Sequence, residues 1–149
     1  MKRTPGIKRK LIAHSFAAIL LGFASFIPVA SADNAASEAI TQSAGGVPYV
    51  SGGIGEESID HLNSLARDFN LKLVFALNAG DYVSDVGVSI ANAKGKTLLD
   101  ATSEGPWFYT RLPAGNYQVV ATLNGKTLKR QVAVGSAKLR TVDFRWAAQ

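Results

Sequence analysis

Residues 104–125, E-G-P-W-F-Y-T-R-L-P-A-G-N-Y-Q-V-V-A-T-L-N-G, decide the fold. Two strand-like runs, residues 107–112 and 116–123, flank the turn residues Pro113, Ala114 and Gly115, which reads as a β-hairpin. Asn124-Gly125 follows, the dipeptide that best populates the positive dihedrals of a two-residue hairpin turn, so another strand is due over residues 126–134.

Working outward, the period stays at two. After Gly135-Ser136, residues 139–146 place Val142, Phe144 and Trp146 on one face and Thr141, Asp143 and Arg145 on the other. Upstream, residues 96–101 form a strand that leaves the Ala93-Lys94-Gly95 turn. Val86, Val88 and Ile90 make another, with Gly87, Ser89 and Ala91 between them. Leu71, Leu73, Phe75 and Leu77 alternate with Lys72, Val74 and Ala76 in the earliest strand, closed by Asn78-Ala79-Gly80-Asp81. Short strands with turn signals about every 8–12 residues predict an all-β, seven-stranded Greek-key β-sandwich. No βαβ alternation occurs, so a parallel sheet is not expected.

Ahead of the strands, Ile59, Leu62, Leu65, Ala66 and Phe69 recur at spacings of three and four. That is one short amphipathic helix, starting at Glu56 and Glu57, whose charge suits a helix N-terminus, and ending near Asn70. It is expected to cover a sheet edge or the open end of the sandwich. Residues 33–48, dominated by small and polar side chains, read as a flexible lead-in.

Residues 1–10 carry five basic residues and no acid, and an apolar run follows to Ile27. Pro28 breaks that run, and Ala30-Ser31-Ala32 supplies small residues for a peptidase, so residues 1–32 read as a Sec-type signal peptide cleaved before Asp33. The run is short for a membrane span with such flanks, and the product is not expected to be an integral membrane protein. Of 16 basic residues, five lie in the leader, leaving 11 against 11 acidic ones. The basic character of the whole chain thus belongs to a segment that export discards, and nucleic acid is not an expected partner. With no cysteine, the core must hold the fold without disulfides. The organisation expected is 1–32 signal peptide, 33–48 lead-in, 49–70 accessory segment with the helix, and 71–149 sandwich, in a periplasmic or secreted protein.

The pattern Val86-x-Val88-x-Ile90, then Gly105-x-Trp107-x-Tyr109-x-x-Leu112-Pro113-x-Gly115-x-Tyr117-x-Val119-x-Ala121, resembles the carboxypeptidase regulatory-like domain, whose relatives form transthyretin-like (prealbumin-like) sandwiches. The resemblance covers residues 71–146. It implies that Trp107, Tyr109 and Leu112 all point into the core, which requires the chain to bulge or leave the sheet near Thr110-Arg111. Strict alternation would instead bury Phe108, Thr110 and Leu112; the family phase is preferred because two large rings on one face suit a sandwich core. In the L-P-A-G-N-Y element, Pro113 presets one dihedral, Gly115 permits a positive one, and the Tyr117 hydroxyl is free to tie down a loop. In enzymes that carry this domain it is an appendage to a catalytic domain. The stand-alone exported arrangement is similar to small exported bacterial proteins.

Candidate chemistry is sparse. Glu57, His61, Ser64 and Asp68 share one helix face and could hold a metal ion in principle, yet the solvated back of an amphipathic helix explains them. Asp81, Asp85, Asp100 and Glu104 could meet at one end of a sandwich as calcium ligands, and turn carboxylates explain them equally. No cofactor is expected. Phe108, Tyr82 and Tyr49 are candidate sugar-stacking rings. Lys126, Lys129, Arg130, Lys138, Arg140 and Arg145 form a basic surface that either blunts edge strands or meets an anionic envelope polymer or acidic partner. The expectation is a non-enzymatic exported module for binding or structural support, its partner a protein or envelope polymer; the alternative is a carbohydrate- or cell-wall-binding module.

Overall fold

Hydrophobic alternation builds two sheets. The computed structural model describes residues 38–148. The signal-peptide reading, with Ala30, Ala32 and Asp33 at its cleavage site, and residues 33–37 of the lead-in lie outside the described residues.

Nine strands are present among the described residues, two more than expected. The extra pair, β1 (Thr41–Gln42) and β2 (Pro48–Gly52), occupies the stretch read as a lead-in and glycine-rich approach. Helix α1 (Glu56–Leu65) follows, with a 3-10 turn (Ala66–Asp68) completing it. The remaining strands match the sequence pattern: β3 (Leu71–Leu77), β4 (Val86–Asn92), β5 (Thr97–Ser103), β6 (Trp107–Thr110), β7 (Gly115–Leu123), β8 (Lys126–Val134) and β9 (Arg140–Trp146). The tight β7–β8 turn has positive φ at Asn124 (47°) and Gly125 (78°), as the dipeptide predicts.

One sheet runs β1-β2-β6-β3-β9 and the other β5-β4-β7-β8, so β6 and β7 do not form the hairpin read over residues 107–123; the chain crosses from one sheet to the other through residues 111–114. All neighbours are antiparallel except β3 and β9, which pair in parallel from Leu71↔Arg140 to Leu77↔Trp146. This one parallel pair needs no crossover helix, because the whole second sheet lies between its strands in sequence. Leu71, Leu73 and Phe75 meet Val88, Ile90 and Val119 in a single core between the sheets. Each such side chain contributes roughly 1.5–3 kcal/mol through burial. Phe75, Phe144 and Trp146 cluster at 6.0–6.4 Å between ring centroids.

The outer face of the five-stranded sheet has its own small core, in which Val50, Leu62, Phe69 and Tyr109 are buried. Helix α1 therefore lies over a sheet face, on β2 and β6, and not over an edge or the open end. This corrects the phase of β6. Phe108 pairs with Leu73 and is fully buried between the sheets, whereas Trp107 and Tyr109 point the other way, toward the helix. Leu112 joins the sandwich core, as strict alternation requires. No bulge occurs in β6; the chain leaves the sheet after Thr110, where both ladders end, and the register shift lies in the β4–β5 pair, between Ile90 and Ala91. The physical reason is that a helix makes the outer face as apolar as the inner one, so large rings suit both.

β2 escapes sequence reading for the same reason. Tyr49 faces the sandwich, stacked on Phe108 at 5.2 Å, while Val50 faces the helix, so no alternation is left to see.

Candidate functional site

The segment most distinctive in sequence is architectural. Gly105 is buried, and a Cβ there would collide with the Gly52 carbonyl. The Ser103 hydroxyl donates to the Gly105 carbonyl at 2.7 Å, and the Glu104 N–H donates to Ser51 Oγ at 3.2 Å, fastening this loop to β2. Tyr117 is buried and its hydroxyl donates to the Pro113 carbonyl at 2.6 Å, the loop tie expected of it. Gly115 differs from expectation: it begins β7 without a positive φ. Burial raises the Tyr109 and Tyr117 phenols above their ordinary pKa.

A cleft of about 480 Å³ opens where three distant segments meet: residues 53–59, residues 82–84, and Pro106 with Trp107. Its walls are Ile59, Val83, Pro106 and Trp107, and Ser84 adds a hydroxyl. Ile54 and Tyr82 stand at the mouth, 68% and 64% exposed. The local folding is specific. Gly53 has φ 93° and lies so close to the Trp107 indole that a Cβ would sit 3.1 Å from its Cγ. The Gly53 N–H donates to the buried Ser58 Oγ at 2.7 Å, which turns the chain from β2 into α1. On the other side, an isolated bridge between Ala76 and Tyr82 holds the β3–β4 loop against the sheet.

Trp107 also carries a cation. Lys72 Nζ lies 3.4 Å from the indole centroid and 5.2 Å from that of Tyr109. Burial lowers the Lys72 pKa, and the Asp143 carboxylate on the neighbouring strand opposes that shift.

A second, polar groove of about 570 Å³ runs between β8 and β9, the edge strands of the two sheets on this side. Lys129, Arg130 and Arg140 line it. Two side chains fasten it: Arg130 Nε donates to the Asp143 carbonyl at 3.1 Å, and Trp146 Nε1 donates to the Lys126 carbonyl at 2.9 Å. Arg130 takes the inner-face register position between Leu128 and Val132 while remaining exposed at the sheet edge, and its guanidinium lies 5.7 Å from the Phe144 ring. An inward-pointing charge on an edge strand is a known guard against further strand pairing.

The other candidates are dispersed. Glu57, His61, Ser64 and Asp68 are all exposed, and the Ser64 hydroxyl donates to the His61 carbonyl at 2.6 Å. Asp81 and Asp85 lie in the β3–β4 loop, Asp100 within β5 and Glu104 in the β5–β6 loop. Among the described residues, no group of three His, Cys, Asp or Glu side chains is placed to hold a metal ion. Of the three rings considered for sugar stacking, Phe108 is fully buried, Tyr49 lies half-buried upon it, and Tyr82 projects. Ile54, Val83 and Pro106 were not singled out by sequence, and Ile59 and Lys72 were read only as a helix-stripe residue and a strand residue. The one available signal was Ile54, a large apolar residue isolated among glycines.

Comparison with known proteins finds no family model that matches the chain, and no curated protein that matches it.

Proposed function

We propose that the chain is a non-enzymatic exported β-sandwich that acts as a binding or structural accessory module in the cell envelope, periplasmic or secreted. The observation that carries this reading is the pair of projecting apolar side chains, Ile54 and Tyr82, at the mouth of an apolar cleft. Such a pair is unfavourable in water and suited to a ligand that covers it. Export rests on the leader read in residues 1–32. The Greek-key, prealbumin-like path and the kinship with carboxypeptidase regulatory-like domains belong to the same proposal, supported by two sheets joined across their edges and by the Tyr117 tie. Among the described residues no helix is long and apolar enough to cross a membrane.

Expression of the full chain in a Gram-negative host, followed by fractionation and N-terminal sequencing, tests export. Asp33 at the N-terminus of an envelope fraction is expected; a cytoplasmic chain with an intact leader overturns the reading. Retention on envelope preparations should fall in Ile54→Ser and Tyr82→Ser variants, and equal retention would remove the cleft from the proposal.

A carbohydrate- or cell-wall-binding role is the second reading, favoured by the exposed Tyr82 ring beside Trp107. Binding to peptidoglycan fragments or glucans that Tyr82→Ser abolishes would support it, and a blank array would end it.

A further inference from the structure

Charge around the cleft is one-sided. Glu56 directly follows the Ile54 and Gly55 wall, Asp81 and Asp85 bracket the Tyr82 side, and Glu104 precedes Pro106 by two residues. All four are exposed. Residues 53–59, 81–85 and 104–107 contain no lysine or arginine. The cation that approaches Trp107 is Lys72, half-buried against the ring.

Resting on the reading of this cleft as a binding site, we infer that its occupant is a partner polypeptide segment that carries one large apolar side chain flanked by lysine or arginine. The volume of about 480 Å³ takes such an anchor against Ile59, Val83, Pro106 and Trp107. Ile54 and Tyr82 close around it and exclude water, as the surround of a hot spot does. The acids come from three separate segments that adjoin the cleft lining, an arrangement matched by a chain with cations before and after its anchor rather than by a single headgroup. They also steer encounter and repel nucleic acid and anionic envelope polymers. A second copy of this chain offers a basic surface on β8 and β9, but none of the exposed large hydrophobic residues, Ile40, Ile54 and Tyr82, lies on those strands to serve as anchor.

The test titrates the full chain with four capped pentapeptides, KRFRK, SQFQS, EDFDE and KRGRK, followed by calorimetry and by NMR shifts of the Tyr82 amide and Trp107 indole. KRFRK is expected to bind about tenfold or more tighter than SQFQS, with EDFDE and KRGRK weaker still and added salt reducing the difference. An Asp81→Lys/Glu104→Lys variant should lose the preference for KRFRK while keeping its melting temperature and its affinity for SQFQS. Equal binding of SQFQS, EDFDE and KRFRK at the cleft overturns the inference and leaves the binding-site reading standing. No shift with KRFRK also overturns it, and the envelope-retention assay on Ile54→Ser then judges the binding-site reading by itself.

Discussion

The Asn70 side chain pairs with the main chain of Leu112 in both directions: Nδ2 donates to the Leu112 carbonyl at 2.7 Å, and the Leu112 N–H donates to Oδ1 at 2.9 Å. A carboxamide thus continues the ladder that β6 abandons at Thr110, while Nδ2 also donates to the Gly135 carbonyl at 2.9 Å. Three segments, the start of β3 and the β6–β7 and β8–β9 loops, are joined by one buried side chain. Asn70→Ala leaves these main-chain groups without partners and should cost about 2–4 kcal/mol in urea unfolding. Asn70→Asp should also destabilise near neutral pH, since its carboxylate faces two carbonyls.

Two glycines give opposite expectations. Gly105→Ala drives a methyl into the Gly52 carbonyl and should lower stability by about 1–3 kcal/mol. Gly87 in β4 has its nearest such contact at 3.8 Å, so Gly87→Ala should leave stability equal or raise it by about 0.5 kcal/mol. Thermal melts of the pair separate close backbone approach from generic glycine replacement.

Removing the Tyr117 hydroxyl tests the loop tie. Tyr117→Phe keeps the buried ring, loses the bond to the Pro113 carbonyl, and should cost about 1 kcal/mol.

Alkaline pH should act in two directions. Lys72 has a lowered pKa when folded, so the unfolded chain holds the extra proton and stability rises with pH up to the ordinary lysine value of about 10.4. Tyr109 and Tyr117 have raised values when folded, so the unfolded chain loses its protons earlier and stability falls above about 10. Unfolding measured from pH 7 to 11 should lose its rising limb in Lys72→Met and show a shallower fall in Tyr117→Phe. An unchanged profile in both variants would contradict these assignments.

Arg130→Val restores apolar alternation to Leu128-x-x-x-Val132 and removes the guard from an edge. Sedimentation velocity should then show more concentration-dependent association than the unaltered chain does.

Several of these residues were legible in the sequence and several were not. The strands β3 to β9 follow from period-two alternation and turn chemistry, and a Tyr117 hydroxyl able to tie down a loop was legible in the L-P-A-G-N-Y element, though not its acceptor, the Pro113 carbonyl. Those features are local, because each depends on residues within one strand or one turn. Arg130 was legible only as one charge in a basic surface; its inward aim emerges from its register with Val119 on β7.

By itself, then, the sequence determined short strands in an all-β fold and the inner faces of β3, β4, β7 and β9, but not the inner face of β6. Tertiary structure decided what covers the outer face. With α1 laid over β2 and β6, Trp107 and Tyr109 turn away from the sandwich core, and Ile54, Tyr82 and Trp107 assemble a cleft from segments far apart in the chain. Alternation reports that a side chain is buried but not against what, and a sheet covered on both sides loses even that signal.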